Sequence, residues 1–247
     1  MIYSICVHTR DFEYIYEFIQ HHLDLGFDRI VIYDNFSKIP VTYDDERVIV
    51  INWDTPLINL NTYNDYIHNY CNVDGWTAFI DEDEFINTNG VNIKNVMVEF
   101  KDFDSLAINW RLFGDVIDDD NTSTSIRGKY LYHFENTDVL GDGNSHIKTI
   151  CKNNSLLKFG TMPHYPFLKP GKVNKNVKGE VVPHAFSKPD HTKIWVDHYH
   201  LRGLDDYLLR KWTGLENNAH LLLTKRTEQN VLDTYYYHRN LATQKIK

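Results

Sequence analysis

The first 114 residues alternate short runs of β-branched residues with longer stretches of helical periodicity, and this alternation limits the fold more than any other feature of the chain. The runs YSICVHT, RIVIYDN, RVIVINW and WTAFID have the length and composition of buried strands. Between the first two runs, apolar residues recur on one helical face, with Asp11 as the predicted cap and Gly26 as the predicted end. Strands joined by helices of this length imply right-handed crossovers. We therefore expect an α/β fold with a mainly parallel sheet flanked by helices on both faces.

The chain of 247 residues is long enough for one large α/β domain. Its character changes after Gly114, where the polar segment DVIDDDNTSTS and the later segment KPGKVNKNVKGEVVP are typical of loops. LDDYLLRKWTGL and residues 216–241 regain helical spacing. We expect a single domain over residues 1–247, in which residues 1–114 form a nucleotide-binding half and residues 115–247 complete the site from the acceptor side.

Composition excludes several kinds of partner. The formal net charge is −8 and the isoelectric point is about 5.9, which argues against nucleic-acid binding because nucleic-acid binders usually carry a basic surface. The first residues lack the pattern of a signal peptide, and no run of eighteen apolar residues predicts a transmembrane segment. Cys6, Cys71 and Cys151 are odd in number and widely spaced, which favours a reducing compartment. A cytoplasmic protein is the expectation.

Four consecutive acidic residues, Asp81 to Glu84, follow the apolar run WTAFI directly. In an extended segment, Asp81 and Asp83 would share one side and Glu82 and Glu84 the other. Ligands of open parallel sheets bind beyond the carboxyl ends of the strands. Two carboxylates there would suit Mn²⁺ or Mg²⁺, which leave coordination positions free for phosphate oxygens. The alternative is a solvated turn in which one acid caps the following helix.

The segment W-T-A-F-I-D-E-D-E-F-I resembles the W-x-x-F-I-D-x-D-E-F block of metal-dependent glycosyltransferases of the GT-A fold, in family 92 and the related family 2 group. Four other segments resemble blocks of that group in the same order: TRDFEYIYEFIQHHLDLGFDRIVIYDN, NWRLFG, HIKTI and DHYHLRGLDDYLLRKWTG. The resemblance spans about Ile5 to Gly214. It implies a Rossmann-like GT-A domain that transfers a sugar from a nucleotide donor with the help of a metal ion.

The resemblance also implies roles at the nucleotide end of the site. Thr9 and Arg10, after the first strand, and Asp34, at the end of the second, are expected to face the nucleoside, and Asn64 the donor. A carboxylate such as Asp34 can accept a base N–H and so select uracil. Its alternative role is to form a turn before Asn35.

The same resemblance assigns the metal. Asp83 is the expected direct ligand, and Asp81 is expected to bind the metal, a metal-bound water or the ribose. His198 is the candidate third ligand, although His200 lies on the same side of an extended segment and could be confused with it. The H-x-H pair lacks a third nitrogen or sulfur ligand at zinc-like spacing, which argues against zinc.

Three further residues complete the expected site. Lys148 and Arg202 are candidate partners for diphosphate oxygens, with the better bidentate geometry offered by Arg202. Trp110 is expected to stack on the acceptor sugar, and core packing is its alternative role.

An inverting transferase needs a carboxylate base near the acceptor hydroxyl. The region from Asp115 to Asp142 holds several candidates. We select Asp142, which lies between two glycines just before HIKTI. The candidates are Asp115, Asp118, Asp119, Asp120, Glu135, Asp138 and Asp142.

The sequence thus predicts a glycosyltransferase that moves a hexose-type sugar from a nucleotide-sugar donor, of the UDP-sugar type, to a hydroxyl of a glycan or glycoconjugate, with Mn²⁺ or Mg²⁺ as cofactor. One alternative is a nucleotidyltransferase that makes a sugar nucleotide, although VHTRDFEY lacks the expected glycine-rich loop. The other is a non-catalytic glycan-binding module.

Overall fold

The computed structural model describes residues 1–55, 59–137, 140–141, 143–212 and 228–246. Within them, a nine-stranded sheet forms the centre, in the order β3-β2-β1-β4-β8-β6-β12-β5, with β11 paired to β6. The strands of this sheet are β1 (Ile2–Thr9), β2 (Arg29–Asp34), β3 (Val48–Asn52), β4 (Gly75–Phe79), β5 (Glu84–Asn87), β6 (Ser105–Leu112), β8 (Ile147–Lys152), β11 (Asn174–Lys175) and β12 (Trp195–His198).

Two small antiparallel pairs and six helices complete the described elements. The pairs are β7 (Tyr132–Phe134) with β13 (Ala242–Lys245), and β9 (Leu156–Phe159) with β10 (Pro166–Leu168). The helices are α1 (Ile15–Leu25), α2 (Asn59–Tyr70), α3 (Ile93–Val98), α4 (Ile126–Lys129), α5 (Leu204–Trp212) and α6 (Glu228–Leu241).

Strand directions decide where a site can form. β1 pairs in parallel with β2 and β4, and β2 pairs in parallel with β3. β8 lies antiparallel between β4 and β6, so β4 and β6 run in the same direction. β12 is parallel to β6, whereas β5 is antiparallel to β12. The carboxyl ends of β1, β2, β4, β6 and β12 therefore meet at one edge of the sheet.

Helices cover both faces of the sheet. Along β1, Ile5 and Val7 belong to the apolar cluster that includes Phe18 of α1, whereas Cys6 belongs to the cluster that includes Tyr63 of α2. This division follows from the alternation of side chains along a strand. The predicted fold class, a Rossmann-like α/β fold with a mainly parallel sheet between helices, is confirmed. Strands β8 and β12, from the second half of the chain, lie inside the same sheet as the strands of the first half.

The predicted start of α1 was wrong, and its predicted end is confirmed. Asp11 has a φ of 54°, and its carboxylate accepts the backbone N–H of Lys38 instead of capping the helix. The helix begins at Ile15 without a side-chain cap. It ends at Gly26, whose φ of 104° is the left-handed conformation that glycine adopts at low cost. None of the helices in the described ranges is long and apolar enough to span a membrane.

Candidate functional site

The four acids form a turn between β4 and β5, and the prediction that they are extended was wrong. The N–H of Glu84 donates to the carbonyl oxygen of Asp81 at 3.1 Å, which closes the turn. The turn is required because β5 runs opposite to β4, so the chain must reverse immediately after Phe79. It is not a solvated turn, since Asp83 and Glu84 are buried.

Asp81 is bound by two side chains from other elements. Its Oδ2 lies 2.8 Å from the ammonium of Lys148, which β8 places in the middle of the sheet, and its Oδ1 accepts the hydroxyl of Tyr63 at 3.3 Å. Burial alone would raise the pKa of Asp81, but the charge and hydrogen bond of Lys148, together with the charge of His8, lower the pKa to about 2. Asp81 is therefore a carboxylate at neutral pH.

Glu84 is completely buried and shares the same lysine. Its Oε2 lies 3.4 Å from the Lys148 ammonium and accepts the N–H of Asp81 at 2.9 Å. Burial raises the pKa of Glu84 well above its usual value, although Lys148 opposes this. Burial would lower the pKa of Lys148, but Asp81 and Glu84 outweigh it and raise this pKa. One cation thus contacts two carboxyl groups, and this role of Glu84 was not predicted from the sequence.

Asp83 faces two side chains from the C-terminal part of the chain. Its Oδ2 lies 2.5 Å from the guanidinium of Arg202, and its Oδ1 lies 3.4 Å from Nε2 of His198. All three residues are buried. His198 ends β12, and its Nδ1 is a buried atom without a hydrogen-bond partner among the described residues. Residues more than a hundred positions apart in sequence, all predicted for the site, therefore converge at this point.

Glu82 closes the site toward the end of β1. Its Oε2 accepts the N–H of Arg10 at 3.0 Å, and it lies beside the hydroxyl of Thr9. Burial raises the pKa of Glu82 to about 8. In the described part of the chain, Nε of Arg10 is buried and has no hydrogen-bond partner. Thr9 and Arg10 therefore lie next to the acidic turn, and their contact with the nucleoside stays a prediction.

Trp110 lies at the centre of a group of imidazole rings. Its ring stacks on His146 with centroids 4.7 Å apart and meets His198 at 4.4 Å and His164 at 5.0 Å. The indole is partly buried, and its Nε1 has no hydrogen-bond partner among the described residues. Burial lowers the pKa of His164 to about 3, so this ring is neutral. Contact with His198 brings Trp110 to the acidic turn, whereas its stacking on an acceptor sugar stays a prediction.

Asp34 and Asn64 are engaged by backbone groups. The two oxygens of Asp34 accept the N–H groups of Ser37 at 3.3 Å and Val41 at 2.9 Å. These hydrogen bonds fit the alternative role of Asp34, which is to form a turn before Asn35. The side-chain amide of Asn64 exchanges two hydrogen bonds with the backbone of Phe159 and so joins α2 to β9. Their roles toward the donor stay predictions.

The candidates for the catalytic base fall into two groups. Asp138 and Asp142, including our selected base, lie outside the described residues. Of the others, Asp115 bonds to Tyr235 and Asp118 to Tyr132, so both hold the loop after β6 against the C-terminal elements. Glu135 accepts a hydrogen bond from Gln244.

The residues around Asp83 fit a divalent ion with two protein ligands. Oδ1 of Asp83 and Nε2 of His198 are 3.4 Å apart, a gap that an ion at about 2.0–2.2 Å from each atom can bridge. An ion with two protein ligands keeps positions open, as Mg²⁺ does when it binds phosphates. Within the described ranges, no group of three or more His, Cys, Asp and Glu residues is placed to enclose a metal. Asp81 is paired with Lys148, and its binding to the metal stays a prediction.

Glu82, Glu84 and Tyr63 are site residues that the sequence interpretation missed. Glu82 and Glu84 were assigned to the far side of an extended strand, because nothing local in the sequence shows that the chain reverses there. The segment from Asn59 to Cys71 fits a helix with Leu60, Tyr63, Ile67 and Tyr70 facing inward. This spacing does not predict that the hydroxyl of Tyr63 reaches Asp81.

No known protein family matches the chain by profile, and no curated protein matches it by sequence. Solved structures with a partial likeness include TarS 1-349 from S. aureus, with 15% identity and a TM-score of 0.39, over 62% of this chain and 47% of that one. HddC from Yersinia pseudotuberculosis has 13% identity and a TM-score of 0.40, over 71% of this chain and 89% of that one. UTP-bound UGPase from Acinetobacter baumannii has 10% identity and a TM-score of 0.37, over 62% and 74%.

TarS has also been solved with UDP and with UDP-GlcNAc. This chain spans less than half of the TarS chain it resembles, at 47%. Likenesses at these TM-scores and identities decide neither fold nor function.

Proposed function

We propose that this protein is a metal-dependent glycosyltransferase that moves a sugar from a nucleotide-diphosphate donor, of the UDP-sugar type, to a hydroxyl of a glycan. The observation that carries the proposal is the convergence of Asp83, His198 and Arg202 at the carboxyl edge of the sheet. Parallel α/β sheets bind ligands at this edge. The five ordered segments that resemble GT-A glycosyltransferases support the same activity.

Asp83 and His198 would hold the Mn²⁺ or Mg²⁺ ion. When bound, the ion supplies Lewis-acid stabilisation of the negative charge that develops on the departing nucleoside diphosphate. Arg202 fixes Asp83 through a buried ion pair, which keeps this carboxylate oriented.

Two cations of the chain would act on the donor. Arg10 has a buried Nε without a hydrogen-bond partner in the described ranges, which makes its guanidinium available to a phosphate or to the nucleoside. Lys148 is buried between Asp81 and Glu84, so its effect on the diphosphate is exerted through the positive charge it brings to the turn.

The acceptor hydroxyl must lose a proton as it attacks, and we propose Asp142 as the base that takes it if the reaction inverts configuration. Trp110, in contact with His198, would form the wall on which the acceptor sugar stacks.

The proposal is tested by the metal dependence of donor binding. In calorimetry, UDP should bind the native protein more tightly with Mn²⁺ than without it. In Asp83→Asn, this gain in UDP affinity from Mn²⁺ should be at least tenfold smaller. Asp44→Asn changes an exposed carboxylate in the same way and serves as the matched control. Circular dichroism establishes that Asp83→Asn is folded.

An unchanged Mn²⁺ effect in Asp83→Asn would contradict the proposed metal site. UDP-glucose, UDP-galactose and UDP-GlcNAc should also be hydrolysed slowly by the native protein without acceptor. A glycan-binding module turns over none of them. A nucleotidyltransferase releases UTP from a UDP-sugar only when pyrophosphate is added.

A further inference from the structure

A cavity of about 340 Å³ lies between β7, the turn at Gly143 and Asn144, and the junction of α6 with β13. Phe134 and Leu241 provide apolar surface, and polar side chains provide the remainder. The polar residues that matter here are Glu135, Thr137, Asn240 and Thr243.

The chemistry of the lining favours a neutral molecule with several hydroxyl groups. None of the described lining residues is Lys or Arg, so this part of the lining offers no cation to recognise a phosphate or a carboxylate. The side chains of Thr137, Asn240 and Thr243 have no hydrogen-bond partner within the described ranges, so their donors and acceptors are available. An apolar surface beside such groups matches a pyranose, which has an apolar face and a rim of hydroxyls.

The cavity lies close to the acidic turn. Phe134 packs against Leu112, and an added Cβ on Gly143 would lie 3.7 Å from both side chains. Leu112 is paired with His198 across β6 and β12, whose spacing is about 5 Å. Trp110 and Leu112 lie on the same face of β6 because they are two residues apart. Packed side chains thus connect His198, through Trp110 and Leu112, to Phe134 in the wall of the cavity.

The size of the cavity limits what it holds. Small-molecule sites have volumes of roughly 300–1,000 Å³, so 340 Å³ lies at the lower end. This is room for one or two sugar rings, and not for a nucleotide sugar.

We infer that this cavity binds a neutral sugar unit of the acceptor glycan, next to the unit that receives the transferred sugar. This inference rests on the proposed function. The cavity holds the acceptor chain while its terminal unit lies against Trp110, and it selects acceptors that have at least two sugar units.

The experiment uses saturation-transfer NMR of the full chain with lactose, maltose, cellobiose and N,N′-diacetylchitobiose as probes. Asn240→Trp fills the cavity, Asn240→Ala removes only the amide, and Asn230→Ala is the matched control at the other end of α6. At least one disaccharide should bind the native protein and Asn230→Ala alike. Asn240→Trp should weaken this binding about tenfold or more, and Asn240→Ala less.

UDP binding with Mn²⁺ should be the same in all four proteins, and melting temperatures show that each variant is folded. Disaccharide binding that is unaffected by Asn240→Trp overturns the inference, as does the absence of binding for every probe. If disaccharides bind through the cavity but UDP does not bind at all, the proposed function fails and the sugar site stands.

Discussion

Replacement of Lys148 by methionine tests whether the acidic turn depends on one buried cation. Lys148 is 0% exposed, and its ammonium lies 2.8 Å from Asp81 and 3.4 Å from Glu84. Methionine keeps roughly the length of the lysine side chain and the apolar character of its aliphatic part. It leaves the carboxyl groups of Asp81 and Glu84 without their cation. Removing one partner of a buried ion pair costs about 3–5 kcal/mol.

This loss is large compared with the total free energy of unfolding, because proteins are stable by only about 5–15 kcal/mol. With an m-value of about 3 kcal/mol/M in urea, the midpoint of unfolding should fall by roughly 1–1.7 M. Lys158→Met changes an exposed lysine of β9 and should shift the free energy of unfolding by less than about 0.5 kcal/mol.

The pH dependence separates lost charge pairing from lost packing. In the native protein the pKa of Asp81 is about 2, below its ordinary value of 3.8, so its contribution to stability is present above pH 3.8 and disappears as pH falls toward 2. In Lys148→Met, Asp81 and Glu84 stay buried and are relieved by protonation. The loss of unfolding free energy in Lys148→Met, relative to the native protein, should therefore be largest near pH 8 and smaller at pH 5. A midpoint equal to that of the native protein, or a deficit independent of pH, would refute the buried triad of Lys148, Asp81 and Glu84.

Two further predictions concern other buried titratable groups. Burial raises the pKa of Glu82 to about 8 from an ordinary 4.5, so the folded state retains a proton that the unfolded chain has lost, and stability falls as pH rises from 4.5 to 8. Glu82→Gln should remove this dependence, so the melting temperature of the variant should rise relative to that of the native protein between pH 5 and pH 8. A difference in melting temperature that is the same at both pH values would contradict this prediction. His22 is neutral because burial lowers its pKa well below 6.5, and its Nε2 accepts the N–H of Ile86. His22→Phe leaves that N–H unpaired and should cost about 1–3 kcal/mol in urea unfolding, whereas the exposed His68→Phe should cost nothing measurable.

Much of the sheet was predictable because its information is local. The β-branched runs before Gly114 correspond to β1 to β4, and the apolar spacing of α2 correctly placed Tyr63 toward the core. The glycine that ends α1 was also predictable, since its left-handed conformation depends only on the residue itself.

The detailed site was less predictable because long-range pairing decides it. Whether residues 81–84 extend or turn depends on β5 pairing with β12, more than a hundred residues later. The same distance hides the partners of the acids, since one lysine among the 26 basic residues of the chain looks like any other. Lys148 reaches Asp81 and Glu84 only because β8 lies in the sheet between β4 and β6.

The turn at residues 81–84 has a consequence for the order in which the protein becomes competent during synthesis. A nascent chain that has emerged only as far as β6 already contains the acids but neither Lys148 nor Arg202, so their charges repel without compensation. Contacts between such distant segments form slowly, since a long loop must close first. The ion pair between Asp83 and Arg202 at this edge therefore forms late, after residue 202 has left the ribosome. An abortive fragment that ends before residue 202 contains the acidic turn without this partner.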